Sequence, residues 1–353
     1  MVHDLSPFAI HFFDNFGIRW YGLSYMFGFF AAYLIMRWLC EKQKAGLNAD
    51  MVSDLITYIA IGTLAGGRLG YCLFYSPDLF LKFKPNFPWW GVLAVNEGGM
   101  ASHGGIIGIV LAIWLFSRKY KVNTLYLFDL AALTGPIGIC AGRLANFING
   151  ELVGRPAPSD LPWAVRFPQD IFLWPKNEPG RLPSLAPVVE KMDITSNQWL
   201  EWIDQIRNAD GAAREKIYSV LNLIVEKIQS GNIEIKNTIG PLLTPRHPSQ
   251  LYGAFGEGLL IFTVLFLLWR TPKKPGFIAS SFIVLYALVR ISDEYFRMPD
   301  DHLGLQWLDL SRGQWLSIFM LTLGLFLMFI WSRSVSITVP GWGKLQSIKL
   351  SRK

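Results

Sequence analysis

Hydrophobic residues in this chain fall in long blocks divided by polar stretches, instead of being spread evenly. Seven blocks are readable, at residues 20–39, 51–74, 100–116, 125–148, 251–269, 277–296 and 314–331. Each approaches the roughly 20 residues an α-helix needs to cross about 30 Å of hydrocarbon. The pattern therefore predicts an all-α integral membrane protein with seven transmembrane helices. The third block is short and rich in glycine, so it is expected to begin as a loop buried in protein.

The polar stretches predict orientation. Arg37, Lys42 and Lys44 follow the first block, and Arg118, Lys119 and Lys121 the third. Arg270, Lys273 and Lys274 follow the fifth, and Arg333, Lys344, Lys349, Arg352 and Lys353 the seventh. Basic loops face the cytoplasm, so the N-terminus is expected outside and the C-terminus inside. Residues 1–353 then form one membrane domain, with residues 155–246 inserted as an external subdomain between spans four and five. The insertion begins with Pro156, Pro158, Pro162, Pro168, Pro175, Pro179, Pro183 and Pro187, a loop or short-strand composition. Helices are expected at 188–208 and 212–229. In the second, Ile217, Val220, Leu221, Ile224 and Ile228 recur at three- and four-residue steps.

Composition supports the membrane reading. Of 353 residues, 52% are hydrophobic and only 17% charged, too apolar for an ordinary soluble domain. The net charge of +7 does not argue for nucleic acid, because the basic residues sit mainly in short loops beside apolar blocks. Cys40, Cys72 and Cys140 lie in or beside apolar segments without metal or disulfide spacing. The start has no basic region and no small-residue cleavage site, so the first span is expected to direct insertion itself.

Candidate chemistry collects at the predicted outer ends of the spans: His103, Arg143, Asn146, Glu151, Arg246, His247, Gln250, Arg297 and Asp300. Ionisable groups at a bilayer boundary are costly and mark functional sites. In Glu97-Gly-Gly-Met-Ala-Ser-His-Gly-Gly, a histidine between glycines can lie on close-approaching backbone, and its ordinary pKa of about 6.5 suits proton acceptance. In Gly142-Arg-Leu-Ala-Asn-Phe-Ile-Asn-Gly-Glu-Leu-Val-Gly-Arg, Arg143 and Asn146 share a helical face, and the arginine suits phosphate. An internal Arg–Glu pair stapling the helix end is the alternative. Arg246-His-Pro-Ser-Gln-Leu-Tyr places a second arginine where a span begins, and the free amides there add anion affinity. His247 is either part of that site or a packing residue. Tyr21 is a site residue or an interfacial aromatic, and Arg68 awaits a partner among Glu97, Asp129 and Glu294. A transporter would place polar groups near the midplane and show inverted repeats. Here the groups gather at one face and no repeat is seen.

These clusters resemble the bacterial prolipoprotein diacylglyceryl transferases. The motifs are Arg19-Trp-Tyr-Gly, Gly66-Gly-Arg-Leu-Gly-Tyr, the two glycine-rich stretches above, Arg246-His-Pro-Ser-Gln-Leu-Tyr, Glu294-Tyr-Phe-Arg-Met-Pro-Asp and Gly313-Gln-Trp-Leu-Ser, in family order across all seven spans. The resemblance implies transfer of the diacylglyceryl group of phosphatidylglycerol to the lipobox cysteine of a prolipoprotein signal peptide. A thioether forms and glycerol phosphate leaves. The reaction would occur at the external side of the bacterial inner membrane, without metal or cofactor. Catalytic candidates are His103, Arg143, Glu151 and Arg246, with His103 or Glu151 as base. Substrate-binding candidates are Tyr21, Arg143, Asn146, Asn149, Gly154, Arg246 and His247. One departure stands out: Gly253 follows Tyr252 where the family commonly has glutamate, and Glu257 occupies a second acidic position one turn later.

Overall fold

The computed structural model describes residues 1–13, 16–43, 47–95, 98–207, 211–298, 310–333 and 338–343. Glu97, Asp300, Lys44, Lys344, Lys349, Arg352 and Lys353 lie outside the described residues. Helices overlap all seven apolar blocks: α1 (Trp20–Gln43), α2 (Ala49–Phe74), α3 (Ser102–Tyr120) and α4 (Thr124–Asn149) before the insertion. Three more follow the insertion. Among the described residues, four helices are long and apolar enough to cross a membrane: Trp20–Gln43, Thr124–Asn149, Ser249–Leu268 and Gly313–Arg333. The protein is thus predominantly helical, with a membrane-spanning character.

Within the insertion, the expected helix at 188–208 is broken. Asp193 takes a left-handed conformation (φ 61°) that ends one short helical segment, and α5 (Ser196–Arg207) starts afresh. Its start is a capping box: Gln198 N donates to Thr195 Oγ1, and Thr195 N donates to Gln198 Oε1. The next helix, α6 (Gly211–Gln229), buries Ile217, Val220, Leu221, Ile224 and Ile228 as its spacing predicted. A further helix, α7 (Ile233–Ile239), is capped by Asn232, whose side chain accepts from Ile235 N at 3.0 Å. These helices share a hydrophobic core with Trp174 and Trp199 at its centre.

The chain continues into α8 (Ser249–Leu268), α9 (Phe277–Asp293) and α10 (Arg312–Arg333). In α8, residues Ala254–Leu260 form a π-helical segment. Two small antiparallel ladders are present. One pairs β1 (Phe8–Phe13) with β2 (Phe16–Arg19), and the other pairs β3 (Val165–Arg166) with β4 (Pro245–Arg246).

By contact density the chain divides into two compact units. The first comprises Met1–Tyr25, Cys140–Glu257 and Val289–Leu316; the second comprises Met26–Ile139, Gly258–Leu288 and Ser317–Lys353. In the second unit, α2 and α3 touch backbone to backbone through glycines. A Cβ at Gly62, Gly66, Gly104 or Gly108 would strike a carbonyl of the facing helix. Such small-residue stripes let membrane helices pack closely. Also in that unit, the buried Asp129 carboxylate accepts from Gly276 N at 2.7 Å and Ala279 N at 2.8 Å, closing the start of α9.

Candidate active site

The C-terminal turn of α4 carries Arg143, Asn146 and Asn149, and the loop after it carries Glu151 and Gly154. Arg143 donates to Glu257 Oε2 through both Nε, at 2.9 Å, and Nη2, at 2.7 Å. Glu257 is fully buried within the π-helical segment. A widened turn there supplies the carboxylate that a regular helix would aim elsewhere, and such segments often mark functional sites. Gly253, one turn earlier, lies against the arginine: a Cβ on it would sit 3.2 Å from Arg143 Nε. Gly253 thus leaves space that the Arg143 side chain occupies, and Glu257 is its ion partner.

A second arginine enters the same network. Arg290 pairs with Glu294 Oε2 at 2.8 Å and Asp293 Oδ2 at 3.4 Å, and its Nε is 3.8 Å from Glu257 Oε1. Ser311 Oγ donates to Glu294 Oε1 at 2.7 Å. Sequence reasoning passed over Arg290 and Asp293. The signal was available: an Arg, Asp and Glu at i, i+3 and i+4 close an otherwise apolar block, where charges persist only when paired.

Glu151 is held by two amides. Asn146 Nδ2 donates to its Oε1 at 2.7 Å and Asn149 Nδ2 to the same oxygen at 3.3 Å. The tight turn between them uses Gly150 at φ 68°, where a side chain would also collide with Gln169. Tyr21 lies beside Asn146 and in the field of Glu151. Four of the sequence candidates are therefore together: Tyr21, Asn146, Asn149 and Glu151.

Arg246 is 6% exposed, and its Nε is bonded to Asp170 of the insertion. Its Nη1 donates to Gly154 O at 3.1 Å. Burial pushes the Asp170 carboxyl up, and the adjacent Arg246 charge opposes that shift. Gly154 sits where three chain segments meet: a Cβ would run into the carbonyl oxygens of His247 and Phe296. His247 N donates to Arg155 O at 3.1 Å, and Arg155 N to Phe296 O at 2.8 Å. Gly154, Arg246 and His247 are thus one stitched assembly.

His103 belongs to the second unit, exposed in the first turn of α3. The segment leading to it is anchored by Arg68. Arg68 finds carbonyls, not a carboxylate, among the described residues: Gly91 O at 2.6 Å, Val92 O at 2.8 Å, Gly98 O at 2.5 Å and Gly99 O at 3.0 Å.

Residues 7–330 match the family model of prolipoprotein diacylglyceryl transferase. The chain belongs to that family. A Bdellovibrio bacteriovorus protein named phosphatidylglycerol–prolipoprotein diacylglyceryl transferase is 63% identical to this family member over 353 residues, covering 100% of both chains. A Burkholderia orbicola protein of the same name is 36% identical over 336 residues, 94% of this chain and 96% of its own. One from Nitrobacter winogradskyi is 36% identical over 325 residues, 90% and 85% of the two chains. As a prolipoprotein diacylglyceryl transferase family member, the protein is a membrane-associated transferase of lipoprotein biosynthesis.

Proposed function

We propose that this chain transfers the diacylglyceryl group of phosphatidylglycerol to the lipobox cysteine of a prolipoprotein signal peptide. Membership of the transferase family carries the reading, supported by the arginine, asparagine and carboxylate set around the end of α4. The protein sits in the bacterial inner membrane with seven spans, the N-terminus and residues 155–246 outside and the active site toward that external face.

The chemistry follows from the bond to be exchanged. A cysteine thiol with a pKa of about 8.5 is only a few per cent thiolate at neutral pH, so a base that takes its proton raises the nucleophile's concentration. His103 fills that role, with Glu151 as the alternative. The sulfur attacks the glyceryl carbon bearing the phosphate, a C–S bond forms and the C–O bond breaks. The electron pair leaves on the phosphate oxygen as glycerol phosphate. Arg143 and Arg246 hold the phosphodiester and stabilise the negative charge that builds on it. Tyr21, Asn146, Asn149 and His247 orient the headgroup or glycerol, and Gly154 keeps their supporting segments in contact.

The test uses purified protein in detergent with phosphatidylglycerol and a lipobox peptide. Release of glycerol phosphate with a matching mass gain on the peptide's cysteine, abolished in Arg143→Ala, supports the reading. Turnover retained in His103→Gln and lost in Glu151→Gln moves the base role to Glu151. No turnover by folded wild type overturns it.

A further inference from the structure

His247 is tied to the insertion through two aromatic side chains. Trp163 Nε1 donates to Tyr252 Oη at 2.8 Å, and Tyr252 Oη lies 3.3 Å from His247 Nδ1. The three rings of His247, Tyr252 and Phe296 pack at centroid separations of 6.0, 5.3 and 5.4 Å, all inclined and none stacked flat. Among the described residues, His247 has no hydrogen-bond partner at Nε2.

Donor chemistry gives this chain of contacts a direction. An indole N–H can only donate, whereas a phenol both accepts and donates, and a neutral imidazole has one nitrogen of each kind. With the indole hydrogen on one lone pair of the Tyr252 oxygen, the phenol's own hydrogen is available to the acceptor in reach, Nδ1 of His247. In that arrangement Nδ1 carries no hydrogen and the ring hydrogen lies on Nε2. The partner of one ring nitrogen sets the state of the other.

We infer that Trp163 and Tyr252 are positioning residues that hold His247 as the neutral Nε2–H tautomer, so that this N–H donates to an anionic oxygen of the phospholipid headgroup. The inference rests on the proposed function, in which His247 contacts the headgroup. Trp163 brings the insertion into the active site: its exposed indole, at 57%, is held for its hydrogen bond and not for core packing. The headgroup and a free phosphate ester offer the same oxygen chemistry, so glycerol phosphate serves as a competing probe.

The experiment combines nitrogen NMR of histidine-labelled full-length protein in detergent, at mildly alkaline pH, with transfer kinetics. The His247 signals are assigned by their loss in His247→Gln. The expected result is a protonated Nε2 and an unprotonated Nδ1 in wild type, and an averaged mixture of tautomers in Tyr252→Phe and, more weakly, in Trp163→Phe. Tyr252→Phe should lower kcat/KM for phosphatidylglycerol about 5- to 10-fold and weaken glycerol phosphate inhibition, as expected for one lost hydrogen bond. His247→Gln, whose amide N–H can replace Nε2–H, should keep more activity than His247→Asn. Hydrogen on Nδ1 in wild type, or an unchanged tautomer in Tyr252→Phe, overturns the positioning role. Full activity in His247→Ala overturns the headgroup contact instead, whatever the tautomer.

Discussion

Arg143 and Glu257 meet across 114 residues of sequence, two guanidinium nitrogens on one carboxylate oxygen. A buried carboxylate of this kind both neutralises the arginine and fixes its direction. Glu257→Gln should lower kcat about 100-fold, the scale expected when a catalytic group is displaced by about an ångström. Removing one member of a buried pair should also cost about 3–5 kcal/mol of stability. Transfer kinetics and a thermal melt in detergent separate the two effects. Wild-type kcat in a folded Glu257→Gln protein would show that Arg143 orients without its partner.

Asp170→Asn should have its effect through Arg246. The substitution leaves a guanidinium 6% exposed without its carboxylate, a loss again of about 3–5 kcal/mol. Combining Asp170→Asn with Arg246→Ala should melt no lower than either single variant, because neither charge is then left buried without its partner. Additive losses in the double variant would mean that the two side chains stabilise independently.

Gly154→Ala places a methyl group against two carbonyl oxygens, those of His247 and Phe296. Overpacking of this kind costs about 1–3 kcal/mol, and here the strain falls on the segments that carry Arg246 and His247. Activity should fall by more than the melting temperature alone accounts for. A fully active Gly154→Ala protein would mean that the strands part without moving the site.

A pH effect is expected from His3. Its ring packs between Phe147 and Phe167 at centroid distances of 5.3 and 5.2 Å, and it is 1% exposed. Burial lowers its pKa below the ordinary 6.5, against weaker opposition from the Phe147 carbonyl and from Asp4, which is itself paired with Lys236. Folding therefore disfavours the charged ring of His3, while the unfolded chain takes up a proton below about pH 6.5. Stability is fully present above that value and is lost as pH falls through it. In His3→Leu this part of the decline should vanish, seen as a smaller drop in melting temperature between about pH 7.5 and 5.5.

The apolar blocks were legible because crossing hydrocarbon demands length and hydropathy, both of which are local properties. At the end of α4 the structure brings Asn146 and Asn149 onto Glu151, because polar groups there need partners. Partnerships were not legible. Arg68 awaited a partner among Glu97, Asp129 and Glu294, and among the described residues it takes four carbonyls, those of Gly91, Val92, Gly98 and Gly99. Glu257 owes its aim to a π-helical turn that no spacing announces. Asp193 breaks the expected helix at 188–208 with a left-handed backbone that aspartate adopts only in context. The β1–β2 hairpin went unread, although Phe8, Ile10 and Phe12 alternate as a strand should.

The insertion leaves the end of α4 and returns at Arg246, and Asp170 near its start neutralises that returning arginine. The lobe is thus divided along its own sequence. Its proximal stretch bonds through Trp163 to Tyr252 and through Asp170 to Arg246. Its distal stretch, from Ile171 to Leu243, folds around its own core, which is joined from outside by Val2 and by the pair of Lys236 with Asp4. A chimaera cut at that inner boundary should keep the enzyme alive, and one cut at the obvious loop ends should kill it.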